Sequence, residues 1–171
     1  LPNMVVTMPK DLQEAYDLMI FALSYKGPIA IRYPKGNIAF SAMHNPEDVA
    51  LGSWVEELPI NEVNVLNYGP DIIEYKEKLK PYSVGLINAR FIKPLDIPML
   101  KKMRNKRLII VEEVVAKGSL ASAIIEANHR MNLSITIEAY NVGEQYVDSG
   151  STKEIKKELG IDVDSIIKIL E

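Results

Sequence analysis

The feature that most constrains the fold is an unbroken apolar run at residues 108–111, Leu-Ile-Ile-Val. Because neighbouring residues of a strand point to opposite faces, this run places apolar side chains on both faces at once. A strand of that kind needs cover on both sides, which is typical of the centre of a parallel sheet. From residue 62 onward, strand-like and helix-like segments alternate. This pattern predicts an α/β fold with a mostly parallel sheet between two helical layers.

Side-chain periodicity divides the chain into further segments. Strands are predicted at 4–8, 29–33, 62–69, 82–91, 108–111 and 134–140, and helices at 11–25, 71–79, 95–106, 119–131, 152–159 and 163–170. Residues 38–58 follow neither period, so we expect an interdomain linker there. The expected organisation is a β-α-β piece of one domain at 1–37, the linker at 38–58, and a three-layer α/β/α domain at 59–171.

Composition and charge exclude several classes of function. A net charge of -3 and a pI near 5.5 provide no basic field for a phosphate backbone, so no nucleic-acid partner is expected. The chain contains no cysteine, which excludes disulfides and thiolate metal sites and is compatible with a cytoplasmic location. No apolar run approaches the roughly 18 residues that span a bilayer, so no membrane partner is expected.

Arg32 is the main candidate for a binding residue. It stands near the carboxyl end of a predicted strand, and ligands of open α/β sheets bind outside that edge. The planar donor fork of arginine suits a phosphate group, with Lys35 and the backbone amides of Gly36 and Asn37 as possible helpers. The alternative is a structural arginine that pairs with a carboxylate across the sheet edge.

Glu112 and Glu113 follow the apolar strand and are the candidates for acid–base chemistry. Adjacent strand residues face opposite ways, so the alternative of helix capping, solvation or ion pairing is favoured over a cooperating pair. Residues 116–119 precede a helix and could hold an anion, but an N-cap by Ser119 is favoured.

Three further polar positions have structural interpretations. His44 and His129 belong to no cluster with metal-ligand spacing, so no metal site is predicted from them. Ser151 precedes a helical segment, with Glu154 three residues later, which is the pattern of a capping box.

Four sequence motifs carry a resemblance to a known family. They are Arg-Tyr-Pro-Lys-Gly-Asn at 32–37, Ala-Arg-Phe-Ile-Lys-Pro-Leu-Asp at 89–96, Val-Glu-Glu at 111–113 and Gly-Ser-Thr-Lys-Glu at 150–154. In this order they resemble 1-deoxy-D-xylulose-5-phosphate synthases, which are thiamine-diphosphate transferases of the transketolase type. The first motif resembles the end of that family's pyrimidine-binding domain, and the others resemble its transketolase C-terminal domain.

The resemblance implies a reaction and a set of partners. Pyruvate is condensed with glyceraldehyde 3-phosphate, with loss of carbon dioxide, for isoprenoid and thiamine biosynthesis. The chemistry uses thiamine diphosphate held by a divalent metal, usually magnesium, in a cytoplasmic homodimer. Arg32 would bind the phosphate of glyceraldehyde 3-phosphate. The cofactor- and metal-binding residues of the family belong upstream of this chain, so the chain itself is expected to be inactive and to hold no cofactor.

The chain also departs from the family pattern, and two other functions stay open. Residues 116–121 replace an expected Gly-rich turn, Gly143-Glu144 replaces Pro-Asp, and Ser149 stands where relatives often have His. These changes affect an edge that normally helps to form the dimer. The alternatives are a non-catalytic dimerisation or interaction module and the beta subunit of a 2-oxoacid dehydrogenase first component.

Overall fold

The computed structural model describes residues 2–34, 43–144, 146–147 and 149–170. Its strands are β1 (Val5–Thr7), β2 (Ile29–Ile31), β3 (Val55–Leu58), β4 (Val63–Asn67), β5 (Val84–Asn88), β6 (Phe91–Lys93), β7 (Arg107–Val111) and β8 (Thr136–Tyr140). Its helices are α1 (Leu12–Ser24), α2 (Asp71–Leu79), α3 (Ile97–Lys102), α4 (Leu120–Met131), α5 (Thr152–Glu158) and α6 (Val163–Leu170). Within these described ranges, no helix combines the length and apolar character needed to cross a bilayer.

The larger sheet has five strands in the order β3-β5-β4-β7-β8. Strand β4 pairs in parallel with β5 and β7, and β7 pairs in parallel with β8. Only the edge strand β3 runs antiparallel to its neighbour β5 among the described strands of this sheet. The predicted mostly parallel sheet is therefore confirmed.

Helices cover both faces of this sheet. On one face, Ile110 of β7 packs in a core with Ile124 of α4. On the other face, Ile109 packs in a second core with Ile72 of α2 and Ile166 of α6. Ile109 and Ile110 are consecutive and both are fully buried. This confirms the α/β/α layering that the apolar run at 108–111 predicted.

The N-terminal β-α-β unit is anchored to the larger domain through a second sheet, in the order β2-β1-β6. Strand β1 pairs in parallel with β2 and antiparallel with β6. Leu18 of α1 is buried in the same core as Trp54 and Phe91. The side-chain amide of Asn88, at the end of β5, donates hydrogen bonds of 2.9 and 3.2 Å to the Glu14 carboxylate. Polar and apolar contacts therefore join the two units.

The structure places a strand inside the segment that we expected to be a linker. Strand β3 extends the large sheet by pairing with β5, with a register shift between Glu56 and Leu58. Trp54, just before it, is buried and donates its indole N–H to the carbonyl oxygen of Phe91 at 2.8 Å. The expectation of no regular structure at 55–58 was therefore wrong. Four residues with two adjacent acids are too few to display a period, and the strand is stabilised by a distant partner. Residues 38–42 of the expected linker lie outside the described residues.

Two other segments are shorter than predicted. The single strand expected at 82–91 is divided into β5 and β6, which belong to different sheets. The helix expected at 95–106 is the six-residue α3, capped by Asp96, whose side chain accepts from the backbone N–H of Met99. Past its end, Asn105 has a left-handed φ of 60°, which is incompatible with a continuing helix.

Acid is expected to destabilise the protein through Glu57. Its carboxylate is almost fully buried and lies 2.8 Å from the Lys76 ammonium and 3.2 Å from that of Lys10. Burial alone would raise the pKa of Glu57, but the interactions with Lys76 and Lys10 outweigh it and lower the pKa below 4.5. A depressed folded-state pKa stabilises the native state above about pH 4.5, and this contribution is lost as the pH falls through the folded pKa.

Thermal unfolding measured between pH 7 and pH 3 checks this expectation. The wild-type Tm should fall steeply at the acid end, and Glu57→Gln should be less stable at pH 7 with a shallower acid slope. Identical acid slopes for the two proteins would show that Glu57 does not carry the effect.

Candidate functional site

Arg32 lies just past the carboxyl end of β2. Its backbone N–H donates to the carbonyl oxygen of Thr7 at 2.8 Å, which continues the ladder between β1 and β2. The residue is exposed, and the Cζ atom of its guanidinium lies 5.6 Å from the centroid of the Tyr68 ring. This distance is within the range of a cation–π contact. The contact joins the N-terminal unit to the loop that follows β4.

A cavity of about 440 Å³ opens beside this contact. Tyr68 follows β4 and Glu112 follows β7, so the cavity lies outside the carboxyl ends of these two strands. From β4 the chain continues to β5, which neighbours β4 on one side, and later to β7, which neighbours β4 on its other side. The cavity is thus at the point where the strand order reverses, which is where open α/β sheets bind ligands.

Glu112 is fixed by the amino terminus of α4. Its carboxylate accepts hydrogen bonds from the backbone N–H groups of Leu120 at 3.0 Å and Ala121 at 2.8 Å. The residue is 2% exposed. Two amide donors and the positive end of the helix dipole compensate the buried charge. The carboxylate is therefore committed to capping this helix.

The hydroxyl group of Tyr68 donates to the same carboxylate, at 3.2 Å. Burial and the neighbouring Glu112 raise the pKa of Tyr68 to about 12, although the Arg32 guanidinium opposes the shift. The phenol therefore stays protonated at neutral pH and retains its role as a donor to Glu112.

Lys156 of α5 is the second cation of the cavity. Its ammonium lies 2.7 Å from Asp71 and 2.6 Å from Glu113. Burial alone would lower the pKa of Lys156, but the hydrogen bonds with these two carboxylates outweigh it and raise the pKa. Two carboxylates thus compensate its charge, which leaves little of it for a ligand.

Arg32 differs from Lys156 in this respect. Among the described residues, no carboxylate forms an ion pair with Arg32, and its neighbour across the cavity edge is the uncharged Tyr68 ring. The predicted alternative, a structural arginine paired across the sheet edge, therefore has no partner within the described part of the chain. The guanidinium contacts the Tyr68 side chain, and Arg32 lines the cavity.

The other candidate residues divide into distinct roles. Glu112 and Glu113 do not cooperate, because Glu112 caps α4 whereas Glu113 is exposed and pairs with Lys156. Ser119 is the N-cap of α4 and accepts from the backbone N–H of Ser122, as predicted. The possible helpers Lys35, Gly36 and Asn37 lie outside the described residues.

The remaining polar positions also have local roles. The capping box of Ser151 and Glu154 is confirmed, with both reciprocal hydrogen bonds present. His44 and His129 are exposed, and no group of three or more His, Asp or Glu residues in the described ranges could hold a metal ion. Sequence reasoning missed Tyr68 and Lys156. The only signals were that Tyr68 directly follows β4 and that Lys156 lies in the helix capped by Ser151.

The family model described as the C-terminal domain of transketolase matches residues 61–166. The chain belongs to the transketolase C-terminal domain family. The matched residues contain β4, β7 and α4, and hence Tyr68 and Glu112, whereas Arg32 lies outside the match in the N-terminal unit. The candidate site is therefore formed where this transketolase C-terminal domain meets the preceding unit.

Curated relatives extend the similarity to nearly the whole chain. A 1-deoxy-D-xylulose-5-phosphate synthase of Macrococcus caseolyticus is 36% identical over 98% of this chain and 28% of its own length. The synthase of Bacillus licheniformis is 33% identical over the same shares, and that of Thermus thermophilus is 31% identical over 99% of this chain and 28% of its own length. The predicted resemblance is confirmed, and the chain spans less than a third of the length of these relatives.

A solved structure shows the same fold. It is described as a split gene transketolase, an inactive beta4 tetramer, and superimposes with a TM-score of 0.78 at 20% sequence identity. The superposition covers 98% of this chain and 57% of the other. At this identity the likeness establishes the shared α/β architecture, including the N-terminal unit outside the transketolase C-terminal domain.

Proposed function

We propose that this chain is the C-terminal part of a 1-deoxy-D-xylulose-5-phosphate synthase, which condenses pyruvate with glyceraldehyde 3-phosphate and releases carbon dioxide. The observation that carries the proposal is similarity at 31–36% identity over at least 98% of the chain to curated proteins of that name. Because it covers at least 98% of the chain, the similarity includes the N-terminal unit as well as the transketolase C-terminal domain. The product would serve isoprenoid and thiamine biosynthesis.

Arg32 is the residue of this chain that we assign to substrate binding. Its planar fork matches the oxygens of the phosphate group of glyceraldehyde 3-phosphate, and phosphate recognition by arginine is charge-assisted. Support comes from its exposure at a strand's carboxyl end, beside a cavity, with no competing carboxylate among the described residues. A cation already neutralised by acids, such as Lys156, would bind a phosphate more weakly.

No residue of this chain is assigned to the cofactor. The described residues offer no group of acidic and histidine side chains for magnesium. When bound in the full-length enzyme, thiamine diphosphate supplies the carbanion chemistry. In this proposal the present chain orients the phosphate end of the acceptor substrate, and the cofactor and metal are held by the polypeptide that makes up the rest of the relatives' length.

The proposal includes a domain organisation and an assembly. The N-terminal unit would be the end of a pyrimidine-binding domain, and the linker would end before β3 because that strand is part of the large sheet. The full-length enzyme would act as a cytoplasmic homodimer.

A second candidate function is a non-catalytic assembly module. Met19, Ile20 and Leu23 of α1 form an exposed apolar group, and Leu23 is 78% exposed. The structural neighbour is described as an inactive tetramer. An apolar helix face of this kind is a common contact surface between chains. This function requires self-association but no turnover.

Product analysis separates the two functions. The full-length protein that carries this chain is incubated with pyruvate, glyceraldehyde 3-phosphate, thiamine diphosphate and magnesium, and the products are measured by mass spectrometry. The proposed function predicts 1-deoxy-D-xylulose 5-phosphate and carbon dioxide in equal amounts. A folded protein that forms oligomers in sedimentation experiments but gives no product would contradict the synthase and favour the assembly module.

A further inference from the structure

We infer that Glu112 and Tyr68 of the transketolase C-terminal domain form a positioning relay that fixes the guanidinium of Arg32 from across the junction with the N-terminal unit. The relay consists of three contacts in series: helix α4 to Glu112, Glu112 to Tyr68, and Tyr68 to Arg32. The inference rests on the proposed function, in which Arg32 binds the phosphate of the acceptor substrate. It gives the transketolase C-terminal domain a part in substrate recognition.

The first contact is rigid. Both carboxylate oxygens of Glu112 are held by backbone amides in the first turn of α4, Oε2 by Leu120 and Oε1 by Ala121. The side chain is buried, so water does not compete for these hydrogen bonds. Since backbone amides of a helix move little, Glu112 is a fixed acceptor.

The second contact sets the plane of the aromatic ring. The Tyr68 hydroxyl donates to Glu112 at 3.2 Å, and the residue is 7% exposed. A tyrosine has only two side-chain torsions to fix, and its remote end is held by this hydrogen bond. The ring is therefore a preformed surface at the edge of the cavity.

The third contact restrains Arg32 without neutralising it. The guanidinium lies over the ring at 5.6 Å from its centroid. A carboxylate in that place would also restrain the arginine, but it would occupy the N–H donors that a phosphate needs. The aromatic ring attracts the cation, and the Tyr68 hydroxyl that also contacts Arg32 is uncharged and occupies at most one of its five N–H donors. Because Arg32 is otherwise exposed, such restraint lowers the entropy lost when a phosphate binds.

Kinetics of the full-length protein that carries this chain test the relay. Tyr68→Leu removes both the ring and the hydroxyl group, and we expect the KM for glyceraldehyde 3-phosphate to rise about 5-fold. Tyr68→Phe keeps the ring and loses the hydroxyl group with its contacts to Glu112 and Arg32, so a rise of about 2-fold is expected. The KM for pyruvate should stay unchanged in both, because Arg32 does not bind pyruvate. Arg130→Ala is the control, since Arg130 is exposed on α4 and lies outside the cavity.

A spectroscopic readout tests the geometry without turnover. In side-chain NMR of the 171-residue chain, the Nε–Hε signal of Arg32 is identified by its loss in Arg32→Lys. The ring current of Tyr68 should displace this signal in the wild type and in Tyr68→Phe, and the displacement should vanish in Tyr68→Leu. Far-ultraviolet circular dichroism confirms that each variant is folded.

The outcomes are distinguishable. An unchanged Arg32 signal in folded Tyr68→Leu overturns the relay, as does an unchanged KM for glyceraldehyde 3-phosphate in the full-length variant. Equal rises in the KM for both substrates also overturn it, because a general disturbance would then explain the loss. Absence of product from the wild-type full-length protein overturns the proposed function, while the NMR result still decides whether Tyr68 positions Arg32. If Tyr68→Leu fails to fold, Tyr68→Phe and Glu112→Gln carry the test, because both lose the hydrogen bond that holds the ring. An Arg32 signal at its wild-type position in both variants overturns the relay.

Discussion

Replacing Arg32 with alanine is expected to lower kcat/KM for glyceraldehyde 3-phosphate by roughly 10- to 100-fold in the full-length protein that carries this chain. The substitution removes a charge-assisted donor fork, and hydrogen bonds to charged groups contribute about 1.5–3 kcal/mol each. Most of the loss should be in the KM for this substrate, because the phosphate is remote from the reacting carbonyl group. The KM for pyruvate should change by less than about 2-fold, since pyruvate carries no phosphate.

Two further variants control this experiment. Arg130→Ala removes an exposed arginine from α4, outside the cavity, and should leave the kinetics unchanged. Arg32→Lys keeps the charge but loses the planar fork, so an intermediate loss is expected. If Arg32→Ala and Arg130→Ala behave alike, Arg32 is not a substrate residue.

Replacing Glu14 with leucine is expected to lower the free energy of unfolding by about 2–4 kcal/mol. The Glu14 carboxylate is 3% exposed and accepts from the Asn88 amide and, at 2.7 Å, from the backbone N–H of Lys10. The Lys10 ammonium lies 3.5 Å away. Leucine would leave these donors without an acceptor and remove the polar link between α1 and β5. The single tryptophan, Trp54, lies in the shared core and reports urea unfolding by fluorescence.

The matched control for this experiment is Glu74→Leu. Glu74 is 55% exposed and pairs with Lys78 one helical turn away, so its loss should change the free energy of unfolding by about 0.5 kcal/mol or less. Glu14→Gln keeps an acceptor for Asn88 and should fall between the two. A Glu14→Leu protein as stable as the Glu74→Leu control would show that the two units are not joined through this carboxylate.

The sequence predicted the elements whose pattern is local. The apolar run of β7, the helical segment of α4 and the caps Ser119 and Ser151 follow from neighbouring residues, and the structure agrees with each. The apolar period of α1 predicted the helix but not its buried face, because Met19, Ile20 and Leu23 are exposed. Strand β3 was missed because its four residues are stabilised by pairing with β5 and by the buried Trp54 beside it, and neither contact is visible in a short window. Contacts with distant residues, and not the local sequence, determined the strand conformation of these residues.

The candidate site was predicted only in part, for a similar reason. Arg32 could be found because its strand and its motif are contiguous in sequence. Its aromatic neighbour Tyr68 is distant along the chain, and only the arrangement of β2, β4 and β7 brings the two together. The capping role of Glu112 was among the alternatives, but sequence could not show that both its oxygens meet the amino terminus of α4.

Recognition of the acceptor phosphate by Arg32 is tested by comparing two acceptors in two proteins. The kcat/KM values for glyceraldehyde 3-phosphate and for unphosphorylated glyceraldehyde are measured in the full-length wild type and in Arg32→Ala. We expect a roughly 10- to 100-fold loss in kcat/KM with the phosphorylated acceptor and less than about 2-fold change with unphosphorylated glyceraldehyde. Equal losses with both acceptors would contradict this expectation, because Arg32 would then act on something other than the phosphate.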